Sequence, residues 1–336
     1  MLRIASREEL YKTIDTDLSS FEVIGPRDLA GKGIFYQKIA KAADLYLGEG
    51  FTVEPVKKFF LSPSEYFFRQ GLKAQGEFLE ELPLPQNKRL IIGVRPCEAR
   101  GLTLLDKVFD AQCKDKFYIE RRLNTTIVGL SCSGPDKDCF CTSMGGSPEE
   151  GRGMDALIFS AGDKFIIEII TDKGKDIFGV CGKDLSREEE KAWQVDKENR
   201  IKALKRRLKV PENMGAVFAS DYWVKVSFPC IGCGACTYLC PTCHCFDLID
   251  EERKKLRCYD GCAFSDFTLE ASGVNPRPTK KERFRQRVFH KFDYFKKNFG
   301  ENLCVGCGRC IRHCPVKIDI TGVVAKIPVA TSNLIG

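Results

Sequence analysis

The chain has 336 residues, a formal net charge of +7 and 18 cysteines. That length supports two or three domains with a sizeable core, so the cysteines are not the staples of a small secreted scaffold. They are also too many to be idle core thiols, which leaves thiolate ligation of metal in a reducing compartment.

The first nine residues carry no apolar targeting core, and Ser6 to Glu9 has the S-x-x-E form of a capping box that opens a helix. Leu90–Val94 is a short buried-strand run, and apolar runs of this kind fall far below the ~18 residues of a membrane span. No membrane span and a cytoplasmic location are therefore expected. After Leu90–Val94 come Arg95-Pro96-Cys97 and a helical pattern with Leu102, Leu105 and Phe109 on one side. Thr126–Ser131 is a second β-rich run, ending at Cys132, so the order resembles a βαβ unit. Ala156–Ser160 and Phe165–Thr171 flank a hairpin signal at Gly162-Asp163. Residues 1–182 are thus expected to form an α/β domain.

Residues 183–215 are charge-dense, with acids leading and bases following as a helix dipole favours. Pro211 and Gly215 break the pattern, which marks a charged helical linker. Residues 216–336 hold most of the cysteines and few strand patterns, and a mainly helical ferredoxin-like domain is expected there.

That domain contains Cys230-x2-Cys233-x2-Cys236-x3-Cys240-Pro241 and, again, Cys304-x2-Cys307-x2-Cys310-x3-Cys314-Pro315. Three cysteines two residues apart converge on one cubane, and the fourth ligates the other cluster. Gly232, Gly234, Gly306 and Gly308 let the backbone curl around the metal. Cluster one is assigned Cys230, Cys233, Cys236 and Cys314, and cluster two Cys304, Cys307, Cys310 and Cys240. Zinc sites use pairs of C-x2-4-C rather than this triple followed by Cys-Pro, so two [4Fe-4S] clusters are expected.

Sixty-three residues separate Cys240 from Cys304, which makes the intervening chain a long insertion. Within it, residues 277–297 carry nine Lys/Arg and two acids, and Phe284, Val288, Phe292 and Phe295 fall at helical spacing. The apolar stripe is expected to face the core. A single basic helix without a reading motif does not make a nucleic-acid site, whereas docking to an acidic partner surface suits it.

Other cysteines are less constrained. If the two strands ending at Cys97 and Cys132 are parallel neighbours, both thiols emerge at the carboxyl edge of the sheet. Cys139-Phe140-Cys141 follows a turn-rich loop, Ser133-Gly134-Pro135-Asp136, and could close over the same spot. This gives either a third cluster or a pair of buried thiols beside a surface C-x-C. Cys243, Cys245, Cys258 and Cys262 form a further candidate metal set, though packing around the clusters explains them as well. Cys113 and Cys181 are isolated, and His290 and His313 are better packing residues than ligands. No G-x-G-x-x-G after a strand, no Walker motif and no H-E-x-x-H is present, so no flavin or NAD site is identified in this chain.

Five blocks outside or overlapping the motifs carry a family resemblance: Arg95-Pro96-Cys97-Glu98-Ala99-Arg100-Gly101-Leu102, Cys139-Phe140-Cys141-Thr142-Ser143-Met144-Gly145, Cys240-Pro241-Thr242-Cys243-His244-Cys245-Phe246-Asp247, Asn275-Pro276-Arg277-Pro278 and Cys304-Val305-Gly306-Cys307-Gly308-Arg309-Cys310-Ile311. Together they resemble the iron–sulfur beta subunit of sulfhydrogenase-type [NiFe] hydrogenases, and equally the A subunit of anaerobic sulfite reductase. The resemblance spans about residues 20–325. It implies an electron-transfer subunit working between a flavin-containing, NAD(P)H-linked subunit and a catalytic reductase or hydrogenase subunit. It also implies a third [4Fe-4S] cluster on Cys97, Cys132, Cys139 and Cys141. Cys258 departs from the family's pattern, which leaves open whether the 243/245/258/262 set has gained a metal. The alternative is a catalytic iron–sulfur reductase subunit acting on a small molecule at the N-terminal cluster. Three oxidised cores at about −2 each would bring the +7 chain to roughly +1.

Overall fold

The computed structural model describes residues 1–73, 76–134, 136–202 and 204–328. Pro135 of the predicted turn, Ala203 of the charged stretch and the tail after Pro328 lie outside the described residues. Among the described residues the strands, in chain order, are β1 (Leu2–Ser6), β2 (Glu22–Leu29), β3 (Gly33–Lys38), β4 (Ser64–Lys73), β5 (Gly76–Glu81) and β6 (Arg89–Val94). They continue with β7 (Thr125–Leu130), β8 (Ala156–Ala161), β9 (Lys164–Ile169), β10 (Lys183–Asp184), β11 (Phe246–Glu251) and β12 (Lys254–Tyr259).

The chain divides into two units, the first comprising Met1–Leu61, Pro83–Arg206 and Val305–Cys307. Its sheet runs β10-β1-β9-β8-β7-β6-β2-β3. The middle is parallel: β2 pairs with β6, β6 with β7 and β7 with β8, while both flanks are antiparallel. Strands covered on both faces need continuous apolar runs, and β6 and β7 have them. Leu90 and Ile92 point into one core cluster with Val128, Leu130, Ile158 and Ile167. Helices α1 (Arg7–Asp17) and α4 (Asp172–Phe178) cover that face with Leu10, Ile14, Ile177 and Phe178. The predicted capping box is present, with Glu9 N–H donating to Ser6 Oγ at 3.2 Å and Ser6 N–H to Glu9 Oε2 at 2.7 Å. Helices α2 (Pro96–Phe109) and α3 (Lys116–Leu123) connect β6 to β7, completing the expected βαβ unit.

Gly93 sits where the β6–β7 register slips between Ile92 and Val94. Its φ is +78°, and a Cβ there would lie 2.7 Å from Pro26 Cδ. The glycine therefore permits a bulge that re-aims the strand end, so that Arg95, Pro96 and Cys97 leave the sheet at its carboxyl edge.

The charged stretch is not a free linker. Helix α5 (Arg187–Lys202) belongs to the first unit, and the chain passes to the second between Arg206 and Arg207. Trp193 is buried edge-on against Phe159 at 5.1 Å, and the Arg200 guanidinium donates to the Ser160 carbonyl at 2.8 Å. The buried indole and this hydrogen bond dock a helix whose other faces are charged.

The second unit comprises Ser62–Leu82, Arg207–Cys304 and Gly308–Gly336. A mainly helical domain was expected, yet it contains a four-stranded antiparallel sheet, β11-β12-β4-β5. Two of those strands come from the sequence half assigned to the α/β domain. The other two, β11 and β12, are dense in charge, with β11 largely exposed and β12 mostly half-buried, so no apolar alternation marks them. Helices α6 (Tyr222–Ser227), α7 (Ala235–Tyr238), α8 (Lys280–Phe289), α9 (Phe295–Phe299), α10 (Arg309–Arg312) and α11 (Ile320–Ala325) complete the unit. Helices α8 and α9 are joined without a break by a π turn, His290–Tyr294. Val288, Phe292 and Phe295 of the predicted stripe are buried, as are Trp223 and Phe289, which pack edge-on at 5.5 Å.

Candidate metal centres

In the second unit, Cys230, Cys233, Cys236 and Cys314 line one cavity, together with Cys262, Cys310, Arg287 and the apolar side chains of Ile231, Phe284 and Ile318. This is the set assigned to cluster one, with Cys314 arriving from a distant part of the chain. Gly232 (φ +70°) and Gly234 (φ +74°) curl the backbone, and Gly234 caps α7. The second motif repeats the device, with Gly306 (φ +67°) and Gly308 (φ +71°) ahead of α10. These are left-handed conformations that a side chain would resist. Burial raises the Cys230 thiol pKa, and the neighbouring Cys236, Cys233 and Cys314 push it the same way. The Ile318 N–H donates to Cys314 Sγ at 3.3 Å.

Of the cluster-two set, Cys240 Sγ lies 3.3 Å from Thr242 Oγ1, and Cys240 and Cys304 both act on the ammonium of Lys291. Cys307 belongs to the first unit.

In the first unit a second cavity is lined by Cys97, Cys132, Cys139, Cys141 and Cys307, with Arg95 and Gly306 beside them. Cys97 opens α2 after β6, and Cys132 follows β7, the parallel neighbour of β6. The Cys132 N–H donates to the Pro148 carbonyl at 3.0 Å. Cys141 begins a short 3-10 turn that Gly145 ends at φ +75°. Cys139 Sγ approaches the Cys307 carbonyl at 3.9 Å, and the Phe140 N–H donates to the Gly306 carbonyl at 2.8 Å. Burial pushes the thiol of Cys132 up to about 11 and that of Cys141 up to about 12, each further raised by Cys139. The Arg95 guanidinium opposes this at Cys132, and it is itself fixed by the carbonyls of Ser131 and Gly48, each at 2.6 Å.

Sequence spacing missed Cys307 as part of this cavity, because its own motif accounts for it fully. It also missed the inward cations of α8 and the π turn, since a charge count does not say which way a side chain faces. The 243/245/258/262 set is dispersed. Cys262 lines the first-described cavity, Cys243 Sγ receives the Arg287 Nη1–H at 3.4 Å, and Cys258 lies in β12 opposite Asp247. Cys181 is part of the sheet's core cluster and Cys113 is exposed. His290 is pushed down to about 3 by burial and the adjacent His244, so it packs as a neutral ring.

Among the described residues, no three or more His, Cys, Asp or Glu are arranged around a single metal ion. The thiols instead line cavities, in company with left-handed glycines and buried cations. A soft sulfur-only donor set with cationic neighbours suits an iron–sulfur cubane, whose binding would deprotonate the raised thiols.

The 4Fe-4S dicluster domain family matches residues 229–318. Sulfhydrogenase 2 subunit beta of Pyrococcus furiosus is 34% identical over 307 residues, covering 87% of this chain and 88% of that protein. No solved structure matches the chain. Among the described residues, no helix is long and apolar enough to cross a membrane.

Proposed function

Because this chain belongs to the iron–sulfur beta-subunit family of sulfhydrogenases, we propose that it relays electrons between two partners of an anaerobic oxidoreductase complex in the cytoplasm. One partner is a flavin subunit that handles NAD(P)H, and the other a catalytic subunit of hydrogenase or sulfite-reductase type. Cys230, Cys233, Cys236 and Cys314 hold cluster one. Cys304, Cys307, Cys310 and Cys240 hold cluster two, and Cys97, Cys132, Cys139 and Cys141 hold a third. When bound, [4Fe-4S] clusters supply one-electron carriers, with potentials set by charge, hydrogen bonds to sulfur and exposure.

The observation that carries this reading is the double membership of Cys307. It lines the cavity of the N-terminal cysteines and is covalently part of the second ferredoxin motif. A chain that ties two cysteine sets together through one residue suits a wire better than an isolated reaction site. Arg95 and Gly306 do the local work, one by fixing the strand end and the other by letting backbone touch backbone.

Cluster one has an exposed rim. Cys233 is exposed, and the nearby Phe228 and Ile231 are 80% and 63% exposed. Lys280 borders the same cavity and donates to the Phe228 carbonyl at 3.0 Å. An apolar rim with cations beside it suits an acidic partner surface.

Iron analysis and EPR-monitored redox titration of the anaerobically purified chain test the relay. About twelve irons per chain, in three reducible cubanes, are expected. Fewer than about eight, or clusters that never reduce, would sink it. Co-purification then separates the two types: a nickel-site subunit means hydrogenase, a sirohaem subunit sulfite reduction.

A further inference from the structure

The basic segment 277–297 is split by the fold. Lys280, Lys281, Lys296 and Lys297 face solvent or its margin, but Arg287 and Lys291 are only 7% and 4% exposed. The two stand one turn apart, Arg287 at the end of α8 and Lys291 in the π turn. A π turn widens the helix locally and shifts which residues face inward, and such turns recur at functional sites.

One cation reaches sulfur directly and the other through a hydroxyl. Arg287 Nη1–H donates to Cys243 Sγ at 3.4 Å. Lys291 Nζ donates to Thr242 Oγ1 at 3.1 Å, and Thr242 Oγ1 touches Cys240 Sγ at 3.3 Å. The Thr242 hydroxyl is itself anchored on the Leu303 carbonyl, and the Leu303 N–H donates to the Lys291 carbonyl at 2.8 Å. Cys304 follows directly. Among the described residues neither cation is ion-paired with a carboxylate. The nearest acid in the segment, Asp293, is taken by Lys297 at 2.8 Å.

A buried charge without a partner is costly, so a fold that buries two must supply counter-charge. Lys291 meets that demand through Thr242, whose hydroxyl touches Cys240 Sγ. Arg287 lines the cavity of Cys230, Cys233, Cys236 and Cys314 together with Cys310 of the second motif. The groups facing these cations therefore include cysteines assigned to both dicluster sites.

We infer that Arg287 and Lys291 are built-in counter-charges of the dicluster site that raise the reduction potentials of its clusters, rather than part of a docking surface. The inference rests on the relay reading above. Reduction adds one electron from an external donor to a core already carrying about −2 with its thiolates, and a fixed nearby cation favours the more negative product. Lys291 reaches Cys240 through Thr242 and acts on cluster two. Arg287 faces cysteines of both sets and acts on both.

The test is EPR-monitored redox titration of the iron-loaded, full-length protein at one pH. Lys291→Met should lower the potential of at least one dicluster signal by a tenfold change in the one-electron equilibrium, 59 mV, and Arg287→Met should lower both. Lys291→Arg, which keeps the charge, should stay near wild type. Lys296→Met, which removes an exposed charge from the same helix, should change little. Wild-type iron content and reducibility are measured first, so an unloaded wild type would count against the relay and not this inference. Loaded variants with unmoved potentials overturn the inference, as does a Lys291→Arg protein shifted as far as Lys291→Met. If both neutral variants lose iron while Lys291→Arg keeps it, the counter-charge role is supported. If Lys291→Arg loses it too, packing explains the site and the inference fails.

Discussion

The two cysteine-lined cavities are built in opposite ways. In the first unit, Cys97 and Cys132 hang from the ends of β6 and β7, strands whose side chains are buried on both faces. Their positions follow from a hydrophobic core that needs no metal. In the second unit, the cysteines lie in or beside α7 and α10, helices of four residues each. Helices that short do not hold themselves together. One cavity is shaped by its scaffold, while the other is framed by elements too short to be stable alone.

The sharpest way to break this contrast is to remove the iron. With a chelator under reducing conditions, the amides of residues 230–240 and 308–318 should lose hydrogen-exchange protection ~10³-fold or more, on the order of 4 kcal/mol. The amides of β6, β7 and β8 should keep theirs. Equal loss in both units would show that the sheet also depends on metal.

A smaller effect comes from the place where backbone approaches backbone. Gly306 has φ +67°, and a Cβ there would lie 2.6 Å from Phe140 C, Phe140 O and Cys141 N. Gly162, in the β8–β9 hairpin, has φ +66° with open space around it. Replacing either by Ala incurs left-handed strain of about 1–2 kcal/mol, but only Gly306→Ala also meets fixed atoms. Anaerobic denaturant titration should show Gly306→Ala losing about 3–4 kcal/mol and Gly162→Ala about 1. Similar losses would mean that the Phe140–Cys141 backbone can give way.

Glu149, which follows Pro148 of the scaffold-shaped cavity, offers a pH-dependent test of the first unit. Its carboxyl is raised to about 7, first by burial, with Arg200 at 3.9 Å pulling the other way. The folded protein therefore favours the protonated form more than the unfolded chain does. Its contribution is fully present below the ordinary carboxyl value of 4.5, is lost as pH rises toward about 7, and is flat above. Between pH 5.5 and 7, wild type should lose about 1–2 kcal/mol that Glu149→Gln keeps. Parallel profiles for the two proteins would show that Arg200 neutralises the carboxylate fully.

Legibility in the sequence follows the same division. The β6 and β7 runs, the hairpin at Gly162 and the capping box were visible because burial and capping leave local patterns. The dicluster domain was visible because its two cysteine motifs have a fixed spacing. The sheet of β4, β5, β11 and β12 was not, since it joins distant segments and β11 and β12 show charge rather than alternation. Nor was the docking of α5, which hangs on Trp193 alone among its buried side chains. The basic segment misled for a related reason: nine cations in sequence say nothing of the two that turn inward.

The smallest effect concerns the cysteines that spacing left open. Cys258 sits in β12, paired with Asp247 on one side and Ser64 on the other. Its thiol is raised by burial and by the nearby carboxylates of Asp247 and Asp260, an environment that disfavours a thiolate ligand. Cys262 differs, because it lines the cluster-one cavity and feels Cys236 and Arg287. Cys258→Ser should therefore keep its full iron content and change stability by no more than about 0.5 kcal/mol. Cys262→Ser should perturb the EPR line shape of one dicluster signal without removing four irons, as a neighbour of the cluster does and a ligand does not. A stoichiometric metal loss in Cys258→Ser would mean that β12 contributes a ligand, and the metal-dependent region would then extend into the second unit's sheet.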